Sequence, residues 1–446
     1  MTRPGQITPG TAFVISHEPD PNRRTSSTSL IALAVTRSLG RQGVPVVRLH
    51  PNRLDHSLHS KYCSEVALCP DMYQSGPALV EYLLQLTSRY SGKRVLIPAS
   101  DDCAEFLGAH RPVLEHAYRV CAARPEVMQH VVNKRRQYEQ AERLGIPIPE
   151  TYFPESRSDI ERLAATIDNY PYIIKPLVAH TWRLASMQRV SQGRKALLVR
   201  TPDELRSAWL SMGDDCRDVM LQEVIGGRDE QLFTFLAYLS DNGTPLAYCV
   251  RRKIRQLPVD FGYCTMTVSC HDDVVVRQSL RLLQGIGFSG ICGVEYKFDA
   301  VSGEYKLIEI NPRPVNTIGL APACGVDIPC IAYRDLVGDR VEPVTTWRDG
   351  VTWYRLYADL MAVRQLGGKG GPSYFEWLRS LRGPRTEAAY ARDDWRPAWH
   401  HYRDVIRLHV ASFSRFAAGT TTADRAIARL DGEKAVGTTV YAAGLP

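Results

Sequence analysis

Two glutamates, an asparagine and an arginine carry the clearest chemical signal in the chain. They lie on Gly293-Val294-Glu295-Tyr296-Lys297-Phe298 and Tyr305-Lys306-Leu307-Ile308-Glu309-Ile310-Asn311-Pro312-Arg313, with Ser302-Gly303 between. The alternation reads as two strands, and Ser-Gly is hairpin punctuation. A hairpin folded symmetrically about Ser302 puts Glu295 opposite Glu309. Residues two apart on a strand share a face, so Asn311 joins Glu309, and Arg313 follows where Pro312 keeps the chain extended. Facing carboxylates, roughly 5 Å apart at Cβ, repel each other unless a cation sits between them. Mg²⁺ suits that place, because it takes oxygen ligands and is usually held by one or two carboxylates plus substrate phosphates. The hairpin therefore points to a nucleotide polyphosphate. A register shifted by one residue would instead separate the glutamates onto opposite faces, so the hairpin alone leaves a solvated edge as the other reading.

The elements that must position this hairpin can be read upstream. Residues 11 to 125 alternate strands and helices: Ala12 to Ile15, a helix that Ser29 can cap and Gly43 ends, Val44 to Leu49, a helix around Ala78 to Arg89, then Arg94 to Pro98. That is a βαβ pattern and predicts a parallel sheet. The polar loop Asn22-Arg23-Arg24-Thr25-Ser26-Ser27-Thr28 follows the first strand and Asp101-Asp102 follows the third, where open α/β sheets bind ligands. No G-x-G-x-x-G is present, so a dinucleotide is not indicated. Further on, Asn133-Lys134 opens a helix ending near Gly145. Tyr172-Ile173-Ile174-Lys175-Pro176 is a strand ending in lysine, and Val219 to Glu223 is a strand running into Gly226-Gly227. Phe233 to Tyr238 and Leu246 to Val250 read as antiparallel strands. In Arg251-Arg252-Lys253-Ile254-Arg255, alternation aims Arg251, Lys253 and Arg255 the same way, a self-repelling row unless an anion or acidic wall faces it.

The chain has 446 residues, enough for two or three domains, with 44% hydrophobic and 23% charged residues. No apolar run is long enough to span a bilayer and the N-terminus leads into no signal-like segment, so a cytoplasmic protein without a membrane partner is expected. The net charge of +7 is interspersed with acidic residues and contains no long basic run, which argues against nucleic acid and for small anionic ligands. The eleven cysteines include no C-x-x-C pair and read as small buried apolar residues. His56, His59, His400 and His401 lack metal-ligand spacing and read as packing or surface groups.

Five segments in this order resemble the ATP-grasp superfamily over roughly residues 110 to 340: Asn133-Lys134 with Gly145-Ile146-Pro147-Ile148-Pro149, Tyr172 to Pro176, Gln222-Glu223-Val224-Ile225-Gly226-Gly227, Gly293-Val294-Glu295, and Glu309 to Arg313. Arg252 to Gln256, Phe375 to Arg379 and Ala391 to Asp394 are similar to segments of the carboxylate–amine ligase branch that includes D-aspartate ligase. The resemblance implies an N-terminal parallel α/β (pre-ATP-grasp) domain over 1–125, an ATP-grasp domain of two α+β subdomains over 126–340, and a mainly helical extension over 341–446. It makes Lys134 and Lys175 ligands of the ATP phosphates. Gln222 and the backbone of Glu223 and Ile225 would hold the adenine edge, and Glu230 or Asp229 the ribose. Glu295, Glu309 and Asn311 would hold two Mg²⁺ ions, with Mn²⁺ as a substitute. Arg313 would stabilise the transferring phosphoryl group, helped by Lys253 and Arg255.

The implied activity joins a small carboxylate to an amine, amino acids or a small peptide, through an acyl phosphate with release of ADP. A non-catalytic nucleotide sensor and a ligase with a thiol acceptor are the alternatives. After Lys175 this chain departs from the family's glycine-rich loop: it reads Pro176-Leu177-Val178-Ala179-His180-Thr181-Trp182-Arg183, and phosphate closure there would fall to side chains such as His180 or Arg183. The segment from Lys175 to Gly193 is the expected lid. Trp353, Trp377, Trp395 and Trp399 are expected to pack within the C-terminal extension, which either covers the ATP-binding domain or forms a homodimer contact. Gly367 to Gly371 reads as a connector, and the tail after Gly419 as partly mobile.

Overall fold

Short apolar runs separated by helices give the first sheet its order. The computed structural model describes residues 9–19, 26–178, 196–213, 218–259, 261–367 and 370–418. β1 (Gly10–Ile15), β2 (Val46–His50), β3 (Glu65–Leu68), β4 (Lys93–Pro98) and β5 (Arg119–Val120) form an all-parallel sheet in the order β3-β2-β1-β4-β5. The helix between β1 and β2 spans Ser27–Arg41 and starts about one turn before the sequence indicates, because Ser26 rather than Ser29 caps it: the Ser26 hydroxyl accepts from the Ser29 N–H. Gly43 follows it with φ +78°, the left-handed conformation that ends many helices.

Two further sheets carry the middle of the chain. β6 (Thr151–Tyr152), β7 (Tyr172–Pro176), β8 (Leu197–Val199) and β9 (Val219–Glu223) make a four-stranded antiparallel sheet in the order β6-β9-β7-β8. β10 (Leu232–Leu239), β11 (Pro245–Leu257), β12 (Tyr263–Ser269), β13 (Gly290–Asp299) and β14 (Glu304–Asn311) form a larger sheet, extended at its β12 edge by β15 (Thr352–Tyr354) and β16 (Arg385–Glu387). The C-terminal region is mainly helical, yet its two short strands belong to this sheet. A continuous core joins Phe13, Leu49 and Leu96 of the parallel sheet to Tyr138, Met220, Phe235 and Val294. On the other face Leu236 and Cys249 pack with Ile31, Ile318 and Trp353.

The C-terminal region is anchored by buried charge. Asp359 accepts from Arg255 at 2.9 and 2.7 Å, from Thr265 at 2.8 Å and from the Trp377 indole at 2.8 Å. Asp394 accepts from Arg37 at 2.9 Å, Ser60 at 2.7 Å and the Lys61 N–H at 2.9 Å, tying the C-terminal region to the helix Ser27–Arg41 and to the loop before β3. The helix Arg396–Ala418 lies on the turn His56–His59, where the His59 and His400 rings stack at 3.6 Å and His56 meets His401 at 4.7 Å. Trp353 and Trp377 are buried as expected of packing residues, but Trp395 and Trp399 are 56% and 63% exposed. The inward stripe of that helix is taken by Ala398, His401 and Val405, which leaves Trp399 facing outward.

Among the described residues no helix is long and apolar enough to cross a membrane. Several expectations fall outside those residues: most of the Asn22-to-Thr28 loop, the lid from Ala179 onward with His180 and Arg183, part of Gly367 to Gly371, and the tail after Gly419.

Candidate functional site

The hairpin pairs as anticipated, though not by simple symmetry. Asp299 pairs with Glu304 around a turn in which Gly303 takes φ +73°, and from Tyr296↔Leu307 the ladder skips Ile308 to Glu295↔Glu309. This bulge compensates for a turn centred half a residue before Ser302, so the two glutamates face each other. The Ile308 carbonyl accepts from the Tyr138 hydroxyl at 2.7 Å. Beyond the pair, Gly293 lies opposite Asn311, and a Cβ on Gly293 would meet Val315 at 2.6 Å.

The sheet register sets the rest of the face. Ser269, Arg251, Thr234, Glu295 and Glu309 form one row across β12, β11, β10, β13 and β14. Lys134, at the start of the helix Lys134–Arg143, brings its ammonium to 3.6 Å from Glu309. Asn133 caps that helix through the Arg135 and Arg136 N–H groups, and the Lys134 N–H donates to Leu177 O at 3.0 Å, just past β7. The Asn311 amide donates to Glu309 at 3.3 Å. Arg313 binds Asp101 through two hydrogen bonds of 2.8 and 2.7 Å and donates to the Asn311 side-chain oxygen at 3.1 Å. Burial opposes the charge on Arg313, but Asp101 and Glu309 outweigh it and hold the guanidinium pKa above its usual value. Asp101 opens the helix that follows β4, so the first sheet's carboxyl edge reaches this site.

On the four-stranded sheet, Lys175 donates to Gln222 Oε1 at 3.2 Å. Gln222 is buried, with its amide nitrogen donating to Tyr138 and Thr151 at 3.0 Å each. The Gln222 side chain, expected at the adenine edge, is engaged here with Lys175, Tyr138 and Thr151. The Glu223 carboxylate accepts from Lys306 at 2.7 Å and from the Glu150 N–H at 2.9 Å, while its own N–H donates to Glu150 O. Ile225, buried, follows at the start of the turn. Asp229 accepts from Gln256 at 2.6 Å, and Glu230 is exposed beside it. Lys253 donates to the other end of the Gln256 amide at 3.2 Å.

Arg255 departs from expectation. The β11–β12 ladder breaks register between Lys253 and Arg255, and Arg255 turns into the Asp359 network rather than toward the glutamates. Arg251, which has Glu295 within 3.6 Å, is the cation of that row that stands at the carboxylates. Sequence reading could list Arg251 in the basic row but could not select it, because the selection depends on which β11 residue pairs with Thr234. Tyr138 and Lys306 carried no motif signal.

The donor set is compatible with Mg²⁺. Two carboxylates and an amide supply oxygens, no group of three His, Cys, Asp or Glu suited to a metal occurs among the described residues, and the remaining ligands of a hard cation would be water and phosphate.

Comparisons with known proteins agree with the fold. The family described as ATP-grasp in the biosynthetic pathway with Ter operon matches residues 235–356. The D-aspartate ligase of Enterococcus faecium is 23% identical over 286 residues, covering 62% of this chain and 67% of that protein. Four carbamoyl phosphate synthase large-chain sequences match over a quarter or less of their own length. Among solved structures, the biotin carboxylase domain of Hydrogenobacter thermophilus 2-oxoglutarate carboxylase, in complex with MgADP, ADP and bicarbonate, aligns with a TM-score of 0.58 at 17% identity over 78% of this chain and 74% of that one. The L-amino acid ligase of Bacillus licheniformis aligns with a TM-score of 0.53 at 13% identity over 76% of each chain. The fold is that of ATP-grasp proteins, and over residues 235–356 the chain is similar in sequence to an ATP-grasp family. Among named enzymes the chain is similar to D-aspartate ligase, a carboxylate–amine ligase.

Proposed function

We propose that the protein is an ADP-forming carboxylate–amine ligase acting on amino acids or a small peptide. The observation that carries this reading is the facing pair Glu295 and Glu309 with Lys134, Asn311 and Arg313 gathered around it. The substrate carboxylate attacks the γ-phosphorus of ATP, giving an acyl phosphate and ADP. The amine of the second substrate then attacks the acyl carbon, phosphate leaves, and the amine loses a proton as the amide forms. The chain's own part is placement and charge neutralisation, which suffices for phosphoryl transfer.

Lys134 and Lys175 meet the phosphates from two elements joined by the Lys134 N–H to Leu177 O bond. The backbone around Glu223 and Ile225 takes the adenine edge and Glu230 the ribose. Arg313, held by Asp101, neutralises the transferring group. Glu295, Glu309 and Asn311 would hold Mg²⁺, two ions in this reading, which screens the phosphate oxygens when bound. The similarities to D-aspartate ligase and to an L-amino acid ligase support amino-acid substrates. Glu309→Gln removes one carboxylate charge from the site and should lower ADP formation at least about a hundredfold, equivalent to about 3 kcal/mol, with the circular dichroism spectrum unchanged. A folded Glu309→Gln protein turning over at the wild-type rate would refute the assignment.

A further inference from the structure

The hairpin that carries Glu295 and Glu309 also reaches the connection between the two central sheets. Residues 224–231 join β9 of the four-stranded sheet to β10 of the larger one. Two lysines opposite each other on the hairpin, Lys297 and Lys306, meet that connection at its start and at its middle. The Lys306 ammonium donates to the Glu223 carboxylate at 2.7 Å, and the Lys297 ammonium donates to the Gly227 carbonyl at 3.4 Å. Like charges directly opposite on paired strands repel each other, and here each ammonium is held by an acceptor of its own. Lys306 has a second one in Asp299 at 3.0 Å. Burial opposes its charge, but Glu223 and Asp299 outweigh it and raise the Lys306 pKa.

The bulge at Ile308 makes this arrangement possible. Lys306 is three residues from Glu309, an odd spacing that puts side chains on opposite faces of a regular strand. The ladder skips Ile308, so Leu307 enters the core opposite Tyr296 and Lys306 joins Glu309 and Asn311 on one face. The Leu307 N–H donates to Pro147 O at 2.8 Å, and the Glu223 carboxylate also accepts from the Glu150 N–H at 2.9 Å. One strand therefore presents Glu309 and, roughly 7 Å along it, the staple to Glu223.

We infer that Lys306, assisted by Lys297, is a positioning residue for the nucleotide: it locks the turn that receives the adenine at a fixed distance from Glu309, so that base and phosphates are met together. This inference rests on the ligase reading, in which the backbone around Glu223 and Ile225 takes the base and the Glu309 face lies at the phosphates. Lys306 acts through Glu223 and touches neither end of the nucleotide. Its loss should therefore cost the contribution of the base and spare that of the phosphates.

Two probes separate the ends of the nucleotide. MgADP is titrated calorimetrically into the full chain, and magnesium tripolyphosphate, which has phosphates and no base, is measured by its displacement of MgADP. Lys306→Met should weaken MgADP binding about tenfold, the order expected on losing one charge-assisted bond, and tripolyphosphate binding by less than about twofold. Lys306→Arg can still donate to Glu223 and should recover most of the MgADP affinity, while Lys297→Met, which loses a longer bond to a neutral carbonyl, should cost about threefold. Glu223→Gln combined with Lys306→Met should bind MgADP no more weakly than Lys306→Met alone, because the two residues act through one contact. Lys306→Gln takes the place of Lys306→Met should the latter not fold. Unchanged MgADP affinity in the folded Lys306 variant, an equal loss for tripolyphosphate, or additive losses in the double variant would each overturn the inference and leave the ligase reading standing. A wild-type protein that binds no MgADP would instead defeat the ligase reading itself.

Discussion

Asp101→Ala separates the role of the first sheet from that of the nucleotide site. Asp101 lies outside the region that carries the nucleotide motifs, yet it holds Arg313 with two charge-assisted bonds of 2.8 and 2.7 Å. Truncating one partner of a fully buried ion pair costs about 3 to 5 kcal/mol. Asp101 is 39% exposed while Arg313 is 13% exposed, so solvent screens part of this and a loss of about 2 kcal/mol in stability is expected. The functional loss should be larger than the stability loss suggests. With Asp101 gone, Arg313 retains Asn311 and Glu309 as attractions and is drawn toward Glu309, so turnover should fall about tenfold to a hundredfold. MgADP affinity should hold, because Lys134, Lys175 and the turn at Glu223 do not depend on Asp101. Asp101→Asn keeps one acceptor and should fall between. The assays are urea denaturation, calorimetric MgADP binding and ADP release. Wild-type turnover in folded Asp101→Ala would refute the reasoning, since Arg313 would then need no anchor on the first sheet.

Asp359→Asn should destabilise the protein by about 3 to 5 kcal/mol, because it leaves the buried Arg255 unpaired; urea midpoints test this, and an unchanged midpoint would restore Arg255 as a candidate for the site. Lys175→Met should weaken MgATP binding at least about tenfold, as expected on losing a charge-assisted phosphate contact, with Gln222 and Tyr138 still packed; unchanged affinity by calorimetry would count against Lys175 as a phosphate ligand. Acid should loosen the fold. Burial, and secondarily the charge of His50, lower the His17 pKa to about 3, and burial takes His401 well below its ordinary value, with His56 and Arg355 adding repulsion and Asp55 opposing it. Such histidines bind fewer protons folded than unfolded, so their stabilisation is complete above pH 6.5 and declines as pH falls, by about 1.4 kcal/mol per unit for each. Urea midpoints at pH 7.5 and 5.5 should differ accordingly, and equal midpoints would refute it.

Much of the site was legible because strand alternation and hairpin register are local. Spacing put Glu309 and Asn311 on one face and offered Glu295 as their partner in one of two registers, and Asn133 marked the start of its helix. What escaped were features set by tertiary partners. The bulge at Ile308 is stabilised by Tyr138, distant in sequence. The break after Lys253 decides that Arg251 rather than Arg255 stands at Glu295. The resemblance puts Gln222 at the adenine edge, and its hydrogen bonds to Tyr138 and Thr151, distant in sequence, could not be read from spacing. The segment Ala391 to Asp394 reads as a branch signature, and its physical content is an anchor: Asp394 on Arg37 and Asp393 on Arg41.

ADP-forming amide ligation is tested most directly by incubating the protein with ATP, Mg²⁺ and paired pools of amino acids while following nucleotide products and new amide masses. ADP and phosphate should appear in equal amounts with a new amide, and none of these should form with Glu309→Gln. Release of AMP, or a thioester in place of an amide, would contradict the proposed chemistry.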